Sequence, residues 1–171
     1  IAGFVTSISS FQPLFSDMMK TYQNTSGTND KIKQGHIVEY TISGMKNSGN
    51  DNAAQTVWSD VLPTNVDYVP GSLFIKQGIT WVALTDVTGD DVGDYNALTR
   101  TLTVRLGTGA NATQGGTINV GQSSEDIKFR VKVQDEAVGN VSNQAQISTK
   151  GALAPSTAPA FIFVSGDGVT K

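Results

Sequence analysis

Lys20, Asp60 and Asn143 are the residues whose types permit covalent chemistry in this chain. Each lies in a stretch where apolar and polar positions alternate: Lys20 with Met18 and Tyr22, Asp60 with Trp58 and Leu62, Asn143 with Val141, Ala145 and Ile147. In an extended strand residues i and i+2 point the same way, so all three are predicted to face inward with their apolar neighbours. A lone buried charge is costly, and such groups should therefore meet one another. Burial lowers the pKa of a lysine and raises that of a carboxylic acid, which favours a neutral amine and a protonated acid. The Lys20 amine would then attack the Asn143 carboxamide, with Asp60 polarising it and shuttling the proton. Ammonia would leave, and an isopeptide bond would join an early strand to a late one. A plainer account stays open: Lys20 snorkels to an edge, Asn143 bonds backbone groups, and Asp60 caps the turn before Leu62-Pro63. Met19, also apolar, blurs the face assigned to Lys20.

A second cluster lies in 86–94, where Asp86, Asp90, Asp91 and Asp94 share a glycine-containing loop. Ca²⁺ takes six to eight hard oxygens, so this loop is a calcium candidate with Asp90 and Asp94 foremost. It lacks EF-hand spacing, and an acidic solvated turn accounts for the same residues. His36 is the single histidine and there is no Cys, which argues against a catalytic zinc site, a cysteine nucleophile and a disulfide scaffold. The glycines at 107, 109, 115 and 116 open no helix and read as turns, not as a phosphate loop. No nucleophile–base pair emerges, so the chain is read as a non-enzyme.

The elements that must hold these residues are strands. Ile127-Lys128-Phe129-Arg130-Val131-Lys132-Val133 alternates without a fault, and 38–43, 101–106 and 141–148 alternate as well, the last with Asn143 in its apolar series. Weaker strand signals lie at 3–11, 18–22, 56–59, 72–76, 80–84 and 161–164, separated by Gly-, Asn- and Asp-rich turns. No stretch carries a helical period. The pattern predicts an all-β antiparallel sandwich with one solvated face per sheet. Trp58 and Trp81 are assigned to the core, and Lys128, Arg130 and Lys132, with Arg105 beside them, to a wet face. The chain has 171 residues, enough for one domain with a real core, here assigned to 1–150. The stretch 151–171 reads as a linker, with Ala154-Pro155 and Ala158-Pro159, followed by a final strand or the start of another module. Twelve basic against 15 acidic residues give a net charge of −3, which disfavours a general nucleic-acid binder. No apolar run is long enough to span a bilayer. No leader reads at Ile1, and the reading favours a piece of a larger protein.

Three stretches taken in order are more specific: 35–47 (GHIVEYTISGMKN) followed by Gly49, then 60–72 (DVLPTNVDYVPGS), then 129–133 with 141–145 (VSNQA). Together they resemble DUF11, a conserved repeat domain of bacterial surface proteins, over roughly residues 16–149. Lys20-Thr21 matches the family's opening Lys-Thr, and His36 replaces the usual Asp after Gly35. The resemblance implies an immunoglobulin-like β-sandwich, set among neighbouring repeats of the same polypeptide on a secreted or cell-surface protein. The Lys–acid–Asn constellation likewise resembles that of pilin and adhesin domains with intramolecular isopeptide bonds. A structural spacer is the leading expectation. The alternative is an adhesive module that binds a glycan or protein on a host or environmental surface through the 80–116 loop region.

Overall fold

The computed structural model describes residue 3 and residues 11–166. Among them are twelve strands and no helix: β1 (Met19–Asn24), β2 (Ile37–Ser43), β3 (Ala53–Val61), β4 (Val66–Tyr68), β5 (Phe74–Gln77), β6 (Thr80–Ala83), β7 (Gly93–Asn96), β8 (Thr101–Arg105), β9 (Gly116–Ile118), β10 (Ile127–Val133), β11 (Gly139–Lys150) and β12 (Ser156–Val164). One sheet runs β1-β2-β10-β5-β6, with β4 also on β10. The other runs β12-β11-β3-β8-β7, with β9 on β3. The expected antiparallel sandwich is what forms. The strand signal at 3–11 falls almost wholly outside the described residues.

Period-two patterning decides what each sheet buries. Ile127, Phe129, Val131 and Val133 of β10 have no solvent exposure, and neither do Val38, Tyr40 and Ile42 of β2. Lys128, Arg130 and Lys132 point the other way, and Arg130 pairs with Glu39 at 2.8 Å on the wet face. The second sheet contributes Trp58, Leu102, Val104, Ala145 and Ile147. The two layers lock through aromatics: Trp58 of β3 meets Phe129 of β10 with ring centroids 6.0 Å apart. Aromatic pairs tilted in this way add attraction beyond the area they bury.

The Asn-x-Gly motif has a packing reason. Buried Asn47 donates from Nδ2 to the carbonyls of Asp51 and Ile118, while its Oδ1 accepts the N–H groups of Leu14 and Gly49. A Cβ on Gly49 would run into the backbone of Gln12, Pro13 and Leu14, so only glycine lets that segment lie against the turn.

Two boundaries differ from the sequence reading. The linker that opens the 151–171 stretch ends at Pro155, short of the Ala158-Pro159 assigned to it, because Ser156–Val164 is a nine-residue strand paired with β11. Pro159 sits there without penalty: β12 is an edge strand, where a missing N–H breaks no ladder. The 80–116 region is likewise more than a loop, since it contributes β6, β7 and β8 to the two sheets.

Candidate functional site

β1 forms one edge of the first sheet, and its Lys20 lies opposite Ile42 of β2 with the side chain turned into the sandwich. Met19 takes the outward position, which resolves the ambiguity of two neighbouring apolar signals. In the second sheet Asp60 of β3 pairs in register with Ala145 of β11. Asn143 therefore lies two residues along β11 on the same inward face. The packing of the two sheets brings Lys20 and Asp60 into contact, while Asn143, inward on the strand beside Asp60, makes no hydrogen bond to either.

The Lys20 ammonium is hydrogen-bonded to Asp60 Oδ2, and neither side chain has any solvent exposure. Lys20 Nζ stands 4.5 Å from the centroid of the Tyr40 ring and 5.4 Å from that of Phe129. These rings close the pocket and supply a cation–π face to the charged form. Asp60 Oδ1, the Tyr40 hydroxyl and both polar atoms of the Asn143 carboxamide are buried without a hydrogen-bond partner. Tyr40 approaches Asn143 without closing a hydrogen bond to it. Buried polar atoms are nearly always paired; these four belong to three residues of one site, and the others among the described residues are scattered over Gln34, Thr56, Trp58 and Thr149. The plainer roles do not hold here. Lys20 does not snorkel, Asn143 bonds no backbone, and the Asp60 carboxylate is given to Lys20.

Burial lowers the Lys20 pKa to about 8, with the attraction of Asp60 recovering only part of the loss. Burial likewise pushes Asp60 above the usual carboxylate range against the pull of Lys20. Burial, and then the negative charge of Asp60, push the Tyr40 phenol up, so its proton stays on oxygen. All three shifts favour neutral forms: an amine with a free lone pair, a carboxylic acid and a phenol.

The other sequence candidates are placed separately. Asp86 accepts from the Tyr68 hydroxyl at 2.6 Å and from Gly71 N, and Asp90 accepts from the Thr85 hydroxyl. Asp91 takes the N–H groups of Thr85 and Gly93, while Asp94 pairs with Arg105 at 3.1 Å. Among the described residues no three His, Cys, Asp or Glu side chains converge as a metal-binding group. Since these carboxylates already hold the loop, EDTA is expected to leave the melting temperature unchanged. A lower melting temperature in EDTA, or a rise on adding calcium, would support the calcium reading.

His36 is half-buried, and its Nδ1 accepts from Asn24 Nδ2 at 3.0 Å and Lys33 N at 3.3 Å, a structural role. Trp81 is not in the core. It lies on the outer face of β6 beneath Lys128, whose Nζ is 4.4 Å from its ring centroid. Arg105 does not extend the Lys128 row, because it belongs to the opposite sheet, where it is buried against Asp94. Tyr40 was missed as part of the site. Its alternation with Val38 and Ile42 marked it as core, and nothing in the sequence tied that strand to Lys20.

No family model matches the chain, and no curated protein matches it. Solved structures do. The C-terminal domain of the Streptococcus agalactiae antigen I/II polypeptide BspA aligns at 17% identity and TM-score 0.53, covering 88% of this chain and 50% of that one. The major pilin SpaD of Corynebacterium diphtheriae aligns at 13% and 0.52, covering 86% and 34%. The collagen-binding domain of a Staphylococcus aureus adhesin aligns at 11% and 0.51, covering 93% and 99%. The chain shares its fold with bacterial adhesin and pilin domains. At these identities the likeness of the adhesin-type sandwich is one of fold. Among the described residues no helix is long and apolar enough to cross a membrane.

Proposed function

We propose that this chain is a non-enzymatic structural module of a bacterial cell-surface or secreted adhesin-like protein, its sandwich locked by a self-formed Lys20–Asn143 isopeptide bond. The observation that carries this reading is the Asn143 carboxamide, buried with neither polar atom engaged, on the strand next to the one that bears the Asp60 partner of Lys20. The step balances within the chain. Lys20 Nζ attacks Asn143 Cγ, and Asp60 delivers a proton to the carboxamide oxygen of the tetrahedral intermediate. Asp60 then relays the amine proton to the departing nitrogen, the Cγ–Nδ2 bond breaks, ammonia leaves, and the oxygen returns its proton to Asp60 as the new amide carbonyl forms. The adhesin-type fold supports the surface reading, as do the DUF11-like motifs, and neighbouring repeats of the same polypeptide would be its partners.

Intact-mass spectrometry of the denatured chain tests the bond. The expected mass is about 17 Da below the sequence value, the mass of one ammonia, with the full value restored in Lys20→Ala. A wild-type chain at full mass would remove the crosslink and leave only the spacer. The adhesive alternative through 80–116 is favoured by the fully displayed Leu98, 96% exposed at the β7–β8 turn. Saturable binding to a surface ligand, abolished by changing that turn, would support it.

A pH dependence follows for Asn143→Ala, in which the amine cannot be consumed. Lys20 then titrates near 8 when folded and near 10.5 when unfolded. Between those values the unfolded chain holds a proton the folded chain lacks, so stability rises with pH across that window. Denaturant midpoints measured through it should climb, and the climb should vanish in Lys20→Met/Asn143→Ala. Equal slopes in the two variants would mean that Lys20 keeps an ordinary affinity for its proton.

A further inference from the structure

The two outer faces of the sandwich differ in kind. That of the first sheet carries its charges, among them the Arg130–Glu39 pair and Lys128 over Trp81. That of the second sheet holds the buried Arg105–Asp94 pair at β7 and β8, and is neutral across β12, β11 as far as Ser148, and the outward positions of β3. Thr157, Gln146, Ser59 and Thr103 form one straight register row over four strands. Among the described residues none of these side chains makes an internal hydrogen bond, and the same holds for Ser142 and Gln144. At the edge of this face Phe161 and Phe163 are each 61% exposed, opposite Ser142 and Asn140 of β11. Their rings emerge from the same side of β12, about 7 Å apart along the strand.

We infer that this face binds a neutral polysaccharide. Phe161 and Phe163 offer flat apolar surfaces to the C–H faces of successive sugar rings. Beside them, amides and hydroxyls that both donate and accept match sugar hydroxyls without requiring an ion to shed its water. The lack of charge fits an uncharged polymer and gives a polyanion or polycation no counterpart. The dimensions agree. Seven residues of β12 by four strands is about 400 Å², half of the ~800 Å² that a stable protein partner covers on each side. A linear chain laid along β12 and β11 needs no more. The inference does not depend on the Lys20–Asn143 bond, which lies on the other side of the same sheet.

The test is native electrophoresis of the full chain through gels containing soluble β-glucan, galactomannan or xylan, with alginate as the acidic control. At least one neutral polymer should retard the protein, and added salt should leave the retardation unchanged. Phe161→Ala/Phe163→Ala should weaken it about tenfold or more, as for loss of a stacking anchor. Gln144→Glu, which adds a charge at constant size, should weaken it as well. Both variants change exposed side chains and should melt with the wild type. No retardation by any neutral polymer would overturn the inference, as would retardation that survives the double Phe variant or salt-sensitive retardation by alginate alone. A wild-type dimer that the double Phe variant dissolves would assign the face to a second copy and overturn it too.

Discussion

Asn143→Ala is expected to lower the stability of the fold by about 5 kcal/mol while leaving its strands intact. Lys20 and Asn143 are 143 − 20 = 123 positions apart. On a chain-entropy account, a link closing a ring of that size stabilises by roughly 5 kcal/mol. Asn143 itself has no hydrogen bond to lose, so little of the deficit would come from broken contacts. Asp60→Ala should fall further. It would block the proposed bond and also leave the Lys20 amine inside the core without its partner, which costs about 3–5 kcal/mol where such pairs are broken. Lys20→Met/Asp60→Leu should recover that second part but not the first. Urea denaturation of the four chains, each with its intact mass, separates the contributions. If Asn143→Ala unfolds at the wild-type midpoint, no covalent link was contributing.

Arg105→Met is expected to cost about 3 kcal/mol. Its guanidinium is buried, paired with Asp94 at 3.1 Å and hydrogen-bonded to the carbonyls of Asn111 and Asp91. One side chain thus ties the acidic loop and the 109–114 turn to β8. Removing it strands the Asp94 carboxylate, and Arg105→Met/Asp94→Leu should regain most of the loss. A double-mutant cycle by denaturation measures the coupling. Single and double variants of equal stability would reduce the pair to a bystander.

The inward set of this sandwich was legible because a two-residue period leaves only two faces to choose between. The faultless run of β10 settled one of them. Lys20, Asp60 and Asn143 were legible for the same reason, since a polar residue in register with apolar neighbours stands out. That Lys20 meets Asp60 was an inference from the cost of buried charge, and the bond between them bears it out. What sequence could not supply is the order of strands across each sheet. Arg105 reads like one more basic residue on a wet face until β8 is placed away from β10, with two loops folded over it. Trp81 reads as core by residue type, but β6 is a short edge strand where a large ring can lie outside under a lysine stem. Pro155 and Pro159 look alike in sequence. Only the edge position of β12 separates the proline that ends a connection from the one inside a strand.

The positions of β1 and β11 in opposite sheets bear on how the module would respond to tension. With Lys20 joined to Asn143, a pull arriving along the main chain crosses between them through a single side-chain bridge. The 122 residues between the two anchor points would then carry none of the load. Roughly 400 Å of contour length would be withheld from extension, even after every hydrogen bond in those strands had broken. Among the described residues, only those before Lys20 and those after Asn143, the rest of β11 together with β12, could still be drawn out.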